Sequence, residues 1–276
     1  MRDGMSSQRR VAAVIPAYNE ARTLRAVVAG VLAEIDLVIV VDDGSTDDTS
    51  DTIRDLPVRL VRHEKNLGKS RSLANGFRAA LTSGAEVVVT LDGDGQHRPQ
   101  DIPALLAESE RHTAALIIGS RLHEKENIPP VRYRANRFAN FWIAWAAGYP
   151  INDSQSGFRV YPASVLENLL PRIEKRPGFV LESEILILAG WRNIHARPVP
   201  IPAIYAGGNR PSHFRPVRDI TLITLMVARH LLVRGMHGRG LIASLRGSGS
   251  TWSERRSALP IRESHATRVH QHHQHK

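Results

Sequence analysis

Between residues 11 and 119 the sequence alternates short apolar runs with longer helical patterns, and this alternation narrows the possible folds more than any other feature. Val11-Ala12-Ala13-Val14-Ile15, Leu37-Val38-Ile39-Val40-Val41, Val58 to Val61, Glu86 to Leu91 and Ala115 to Gly119 read as strands. Thr23 to Glu34 puts Leu24, Val27, Val28, Val31 and Leu32 on one side of a helix, and Asn66 to Thr82 and Pro99 to Glu110 are helical as well. Ser45, with Asp48 three residues on, can cap a further helix running to about Asp55. Strand and helix in this order predict right-handed crossovers and an α/β domain with a mostly parallel central sheet flanked by helices.

The runs end in polar clusters. Val41 is followed by Asp42-Asp43-Gly44-Ser45-Thr46-Asp47, Leu91 by Asp92-Gly93-Asp94-Gly95-Gln96-His97, and the first run leads into Pro16-Ala17-Tyr18-Asn19-Glu20. Ligands of open α/β sheets gather at the carboxyl ends of strands, so Asp92 and Asp94 place fixed negative charge in a cleft. Hard oxygen donors at i and i+2 suit Mg²⁺ or Mn²⁺, which keep positions open for phosphate oxygens. Read alone, an Asp-x-Asp is as well explained by a solvated turn whose glycines supply positive φ. Gly68-Lys69-Ser70 imitates a phosphate-binding loop, but the glycine such a loop needs five residues earlier is His63, and no GxGxxG fingerprint occurs.

Further along, Ser120-Arg121 closes the Ala115 strand, and near a diphosphate Arg121 is a candidate charge clamp. Asn136 to Ala147 carries Phe138, Phe141, Trp142 and Trp145, a helix for the core or for a lipid-facing surface. Asp153 to Arg159 forms a polar loop entering a strand, and Glu182 and Glu184 open an apolar helix to Ala189. Thr221 to Met236 is amphipathic, with Leu222, Leu225, Met226, Leu232 and Met236 apolar and Arg229, His230 and Arg234 polar. Beyond Arg246 the Ser, Gly, Arg and His composition reads as a disordered tail. The expected organisation is a flexible N-terminus over 1–9, a catalytic domain over 10–219, a basic amphipathic segment over 220–245 and the tail over 246–276.

The formal net charge is +10, much of it in the last third, which attracts nucleic acid, anionic lipid or phosphorylated substrates alike. No apolar run reaches the roughly 18 residues of a membrane span. With no cysteine, disulfides, thiolate metal sites and a cysteine nucleophile are excluded, and a reducing cytoplasmic setting fits.

Six motifs in order, Pro16-Ala17-Tyr18-Asn19-Glu20, Val41 to Asp47, Asn66-Leu67-Gly68-Lys69, Leu91 to His97, Gly119-Ser120-Arg121 and Asp153 to Arg159, resemble inverting family 2 glycosyltransferases of the GT-A fold, most closely the dolichyl-phosphate mannose or glucose synthase branch. The resemblance spans roughly 10–220. It implies a UDP- or GDP-linked hexose as donor and Mg²⁺ or Mn²⁺ as cofactor. By the same resemblance, Pro16, Tyr18, Glu20, Val41 and Asp43 bind the nucleotide, with Lys69 and Gly93 also at the donor. Asp92, Asp94 and Gln96 match the metal and diphosphate positions, and Arg121 matches an arginine on donor or acceptor phosphate. Near the domain end the chain departs from the mannose synthases, carrying Tyr205 and His213, with Arg210 and Arg215 close by, in place of an Arg and a Lys; the sugar stays open.

The acceptor implied is a polyprenyl phosphate or another glycan or lipid, met by peripheral contact at the inner face of the cell membrane, with no nucleic acid. A phosphate acceptor is already an anion, whereas a sugar hydroxyl needs a base, for which Asp153 is the candidate. A hydroxyl acceptor, as in polysaccharide or glycolipid synthesis, is the second enzyme reading, and a non-catalytic polyanion-binding protein is the rival of another class.

Overall fold

The computed structural model describes residues 9–174, 180–204 and 216–247. Its centre is a seven-stranded sheet in the order β3-β2-β1-β4-β6-β5-β7. The strands are β1 (Val11–Ala17), β2 (Leu37–Asp42), β3 (Arg59–Arg62), β4 (Val87–Thr90), β5 (Leu116–Ser120), β6 (Arg159–Pro162) and β7 (Ala196–Pro200). Helices α1 (Leu24–Leu32), α2 (Lys69–Thr82), α3 (Ile102–Arg111), α4 (Pro130–Ala147), α5 (Ala163–Ile173), α6 (Leu181–Gly190), α7 (Pro216–Val233) and α8 (Gly238–Gly247) complete the described chain.

All pairings are parallel except those of β6, which runs antiparallel between β4 and β5. The reversal has a positional effect. Arg159, the first residue of β6, pairs with both Thr90 and Ile118, so the loop before it arrives at the edge where β4 and β5 end. Alternating side chains divide the core between the faces. Ala12 and Val14 of β1 join α2, α4, α5 and α6 on one side, while Ala13, Ile15 and Ala17 join α1 and α3 on the other.

Several sequence expectations change. β1 runs through Pro16 instead of stopping there. Val14 and Pro16 direct their backbone groups toward β4, whose ladder ends at the Val14–Thr90 pair, so the missing proline N–H deprives no partner. The helix expected after Ser45 is only a short 3-10 turn, Asp51–Ile53, because Asp42 draws the segment inward by accepting from the Ser45 N–H (2.9 Å) and the Ser50 hydroxyl. α4 begins at Pro130, six residues before the expected Asn136, and its aromatic side divides between the two expected roles: Phe138 is 67% exposed, whereas Trp142 and Trp145 are half-buried, stacked and packed against the core. α5 and β7 had no sequence expectation. The Thr221–Met236 helix ends at Val233, since Gly235 and Met236 adopt positive φ of 61° and 57° before α8. α7 starts at Pro216, so it crosses the expected boundary at 219, and the tail beyond 247 lies outside the described residues.

The polarity of α7 departs from expectation in part: Arg229 is exposed and Met226 packs on the core as expected, but His230, Leu225 and Leu232 are reversed. His230 is buried against Trp191, with its Nε2 3.1 Å from Glu184 Oε1 on α6, while Leu225, Leu232 and Val233 face outward. The reason is Glu184: a carboxylate buried in an all-round apolar helix needs a polar partner, and His230 is the one α7 supplies.

α2 packs so tightly on β1 that a Cβ on Gly76 would lie 2.3 Å from Val14 Cγ1. Gly76→Ala is expected to lower stability by about 1–3 kcal/mol through overpacking, read as a lower urea midpoint at unchanged slope, with Val14→Ala restoring part of the loss.

Candidate active site

The tips of β1, β2, β4 and β5 and the entry to β6 share one edge of the sheet, and each is tied to its neighbour by side-chain bonds to backbone. At the β1 tip, Asn19 takes a positive φ of 56°, donates its N–H to Ser45 Oγ (3.0 Å) and accepts from the Thr46 N–H (2.9 Å). The Glu20 N–H is bound by Thr49 Oγ1 (2.8 Å). The loops after β1 and β2 are thereby locked together, with Pro16, Tyr18 and Glu20 half-buried along the rim.

Asp43 organises the next wall. Its Oδ1 accepts from the Leu67 N–H (2.9 Å) and lies 2.7 Å from His63 Nδ1, and its Oδ2 accepts from the Gly68 N–H (2.8 Å). The far His63 nitrogen, Nε2, lies 2.9 Å from Asn75 Nδ2, a pairing that makes Nε2 the acceptor and Nδ1–H the donor to Asp43. Gly68, with φ of 93°, turns the chain into α2 at Lys69, three residues after the expected start at Asn66. Asp43 therefore shapes the 63–68 loop with the same carboxylate that the resemblance assigns to the nucleotide.

On the other side of β1, the β4 tip presents Asp92. Lys69 Nζ sits 2.6 Å from Asp92 Oδ1 and 3.3 Å from Glu182 Oε2, so a cation from α2 bridges the β4 tip and the first turn of α6. Burial pushes the Asp92 carboxyl upward, but Lys69, His97 and Arg121 outweigh it and hold it down at about 2. The Lys69 ammonium is drawn down by burial and raised overall by Asp92 and Glu182. Asp94 accepts from the Gln96 N–H (2.9 Å), closing the turn at Gly95. His97 is buried against Phe158, its Nε2 has no hydrogen-bond partner among the described residues, and burial above all brings its pKa to about 4.

The β5 tip and the loop into β6 form the third wall. Asp153 is wholly buried, and its Oδ2 accepts from the backbone N–H (3.1 Å) and Nε (3.4 Å) of Arg121, which fixes the guanidinium at the edge; Oδ1 has no partner among the described residues. Asn140 of α4 clamps the same loop through the carbonyl of Asn152 (2.6 Å) and the N–H of Ser154 (2.8 Å). Beneath it, Arg159 is 1% exposed and donates to the carbonyls of Ser154 (2.7 Å), Ser156 (2.7 Å) and Glu182 (2.8 Å).

The expected residues are thus brought to one edge, with Asp43 and Asp92 on the two strands flanking β1 and so about 10 Å apart, two strand spacings. Val41 is the exception. Its side chain is fully buried in the core and its backbone lies between β1 and β3, so it supports the site from beneath and does not line it. Tyr205, Arg210, His213 and Arg215 lie outside the described residues. Sequence reasoning missed Glu182, Asn140, His97 and Arg159 as site residues. The signal available for Glu182 was an acid opening a helix with no polar face.

Among the described residues no three of His, Cys, Asp and Glu cluster as a metal cage. A hard divalent ion bound with phosphate oxygens and water needs only one or two carboxylates, so half-exposed Asp92 and Asp94 with the Gln96 amide are a fitting donor set.

Residues 12–177, more than half of the chain, match the model of the family described as Glycosyl transferase family 2. The chain belongs to that family. Among relatives of this glycosyltransferase, the UDP-N-acetylglucosamine–dolichyl-phosphate N-acetylglucosaminyltransferase of Methanococcus voltae is 31% identical over 213 residues, covering 70% of this chain and 84% of that protein. The dolichol-phosphate mannosyltransferase of Pyrococcus furiosus is 32% identical, covering 67% of this chain and 54% of that protein. In fold, the glycosyltransferase is similar to glucosyl-3-phosphoglycerate synthase from Mycobacterium tuberculosis, solved with Mn²⁺, UDP and glucosyl-3-phosphoglycerate, at a TM-score of 0.56 and 20% identity over 82% of this chain and 80% of that one.

Removing the Arg159 guanidinium takes a donor from three carbonyls, those of Ser154 and Ser156 lying in the loop outside any helical ladder. Arg159→Met is expected to destabilise the enzyme by about 3 kcal/mol, measured by denaturant unfolding, and to loosen the 153–157 loop in amide hydrogen exchange.

Proposed function

We propose that this glycosyltransferase moves a hexose from a UDP- or GDP-linked donor to a polyprenyl phosphate, inverting the anomeric carbon with Mg²⁺ or Mn²⁺ assisting. The observation that carries the reading is the Arg121–Asp153 pair. It sets a fixed guanidinium at the same edge as the Asp92–Asp94 turn, while the candidate base is sealed beneath it. The names of the Methanococcus voltae and Pyrococcus furiosus relatives, which act on dolichyl phosphate, support the same acceptor class.

In this reading Asp92, Asp94 and Gln96 hold the metal, which when bound supplies a Lewis acid for the charge developing on the leaving diphosphate. Pro16, Tyr18, Glu20 and Asp43 bound the nucleotide between the β1 and β2 tips. Arg121 pairs with a phosphate, and Asp153 keeps the guanidinium aimed by occupying its Nε and backbone N–H. An acceptor phosphate attacks as the anion it already is, so no group need take a proton. Asp153 Oδ1, which has no partner among the described residues, favours the second reading, a hydroxyl acceptor with Asp153 as base.

The acceptor lipid also gives the outward face of α7 a role. Leu225, Leu232 and Val233 are each more than 60% exposed, Arg229 is exposed beside them, and α4 adds exposed Val131, Arg132, Arg134 and Phe138. Apolar side chains interleaved with arginines fit the surface of an anionic bilayer, and no helix among the described residues is long and apolar enough to cross one.

Purified enzyme with Mn²⁺ or Mg²⁺, a panel of UDP- and GDP-hexoses and polyprenyl phosphate is expected to yield a sugar-lipid. Asp94→Ala is expected to lower turnover at least about a hundredfold at unchanged fold. Asp153→Asn separates the acceptors: a mainly raised KM for polyprenyl phosphate supports the first reading, whereas a kcat loss of about 10²–10⁴ on a hydroxyl acceptor supports the second. Leu232→Glu is expected to reduce co-sedimentation with anionic vesicles while leaving metal-dependent nucleotide binding intact.

A further inference from the structure

We propose that Lys69 is a built-in competitor of the divalent cation at Asp92, holding the carboxylate until a nucleoside diphosphate arrives, so that metal and donor bind as a coupled pair. The inference rests on the reading of Asp92 and Asp94 as the metal and diphosphate site.

The placement of Lys69 is the first argument. It is the first residue of α2, where the helix dipole presents its positive end and a cation is disfavoured, so its position is sustained by the acids it faces. It also sits where a metal ligand would have to be reached, 2.6 Å from Asp92 Oδ1.

The backbone adds a second, independent argument. A Cβ built on Gly157 would lie 2.6 Å from Asp92 Oδ2 and 2.9 Å from Lys69 Nζ, so the ion pair fills the space that any larger residue would take. Asp92 is hemmed in by Gly157 and by Lys69, and a divalent ion and an ammonium cannot share Oδ1 without direct repulsion.

Glu182 gives the ammonium an alternative seat. Its Oε2 is already 3.3 Å from Nζ, so a small rotation of the lysine exchanges one carboxylate for the other without leaving the cation unpaired. The phosphate oxygens of a donor would be a further seat. A diphosphate that draws Lys69 away frees Asp92, and the metal then finds both a carboxylate and phosphate oxygens. Linkage makes the effect reciprocal: the metal must strengthen diphosphate binding by the same factor.

The test is Mn²⁺ affinity, read from the spin-resonance signal of the free ion and by calorimetry, without nucleotide and with saturating UDP or GDP. Wild-type enzyme is expected to bind Mn²⁺ weakly alone and more tightly with diphosphate. Lys69→Met is expected to bind Mn²⁺ alone at least tenfold more tightly, and its diphosphate-to-metal coupling factor should fall by a similar amount. Lys69→Arg should retain the coupling, and Glu182→Gln, which removes the alternative seat, should weaken Mn²⁺ binding in the absence of nucleotide. Circular dichroism of each variant confirms the fold, and the Glu182→Gln and Lys69→Arg results stand if Lys69→Met does not fold. Unchanged Mn²⁺ affinity and coupling in Lys69→Met, with wild-type binding evident, overturns the competition alone. Failure of wild-type enzyme to bind Mn²⁺ with either diphosphate overturns the metal-site reading and this inference with it.

Discussion

The buried guanidinium of Arg159 is the interaction on which the site's architecture depends. A permanent charge has been taken out of water at the first residue of β6 and satisfied by carbonyls of the 153–157 loop and of α6. Burial works against the charged form, yet Tyr161, Glu182 and Asp153 outweigh it and raise its pKa above the ordinary arginine value. A charge so placed tolerates little displacement, and everything it touches inherits that rigidity. The loop carries Asp153, Asp153 aims Arg121, and the first turn of α6 carries Glu182 to Lys69.

The same economy appears at the other tips, where carboxylates serve as scaffolds before they serve as ligands. Asp42 is spent on the turn after β2, and Asp43 on the loop before α2. What remains for a ligand is a rim of half-buried groups around the Asp92–Asp94 turn, backed by these side-chain-to-backbone bonds. This fits an enzyme of the glycosyl transferase family 2, whose donor must be held still while a bond at the anomeric carbon is exchanged.

Much of this was legible in the sequence because the strands β1, β2 and β4 are buried on both faces and so appear as continuous, mostly apolar runs that lead into polar clusters. Edges and reversals were less legible. β6 is only four residues long and begins with an arginine, a residue that composition alone assigns to the surface; its antiparallel sense is imposed by a neighbour on each side. His230 of α7 was placed on the wrong side for a related reason. Periodicity groups His230 with Arg229, whereas the buried Glu184 on a different element decides which of them turns inward. Long-range pairing of charges leaves no local trace in a chain, so the residues that hold the site together were harder to read than those that line it.

Glu182 and Glu184 occupy a single helical turn at the start of α6, one reaching Lys69 and the other His230 on the helix whose opposite side is apolar and exposed. The strand-tip site and the outer face of α7 are therefore joined through one short piece of backbone. Whatever displaces His230 therefore bears on the same turn from which Glu182 reaches Lys69.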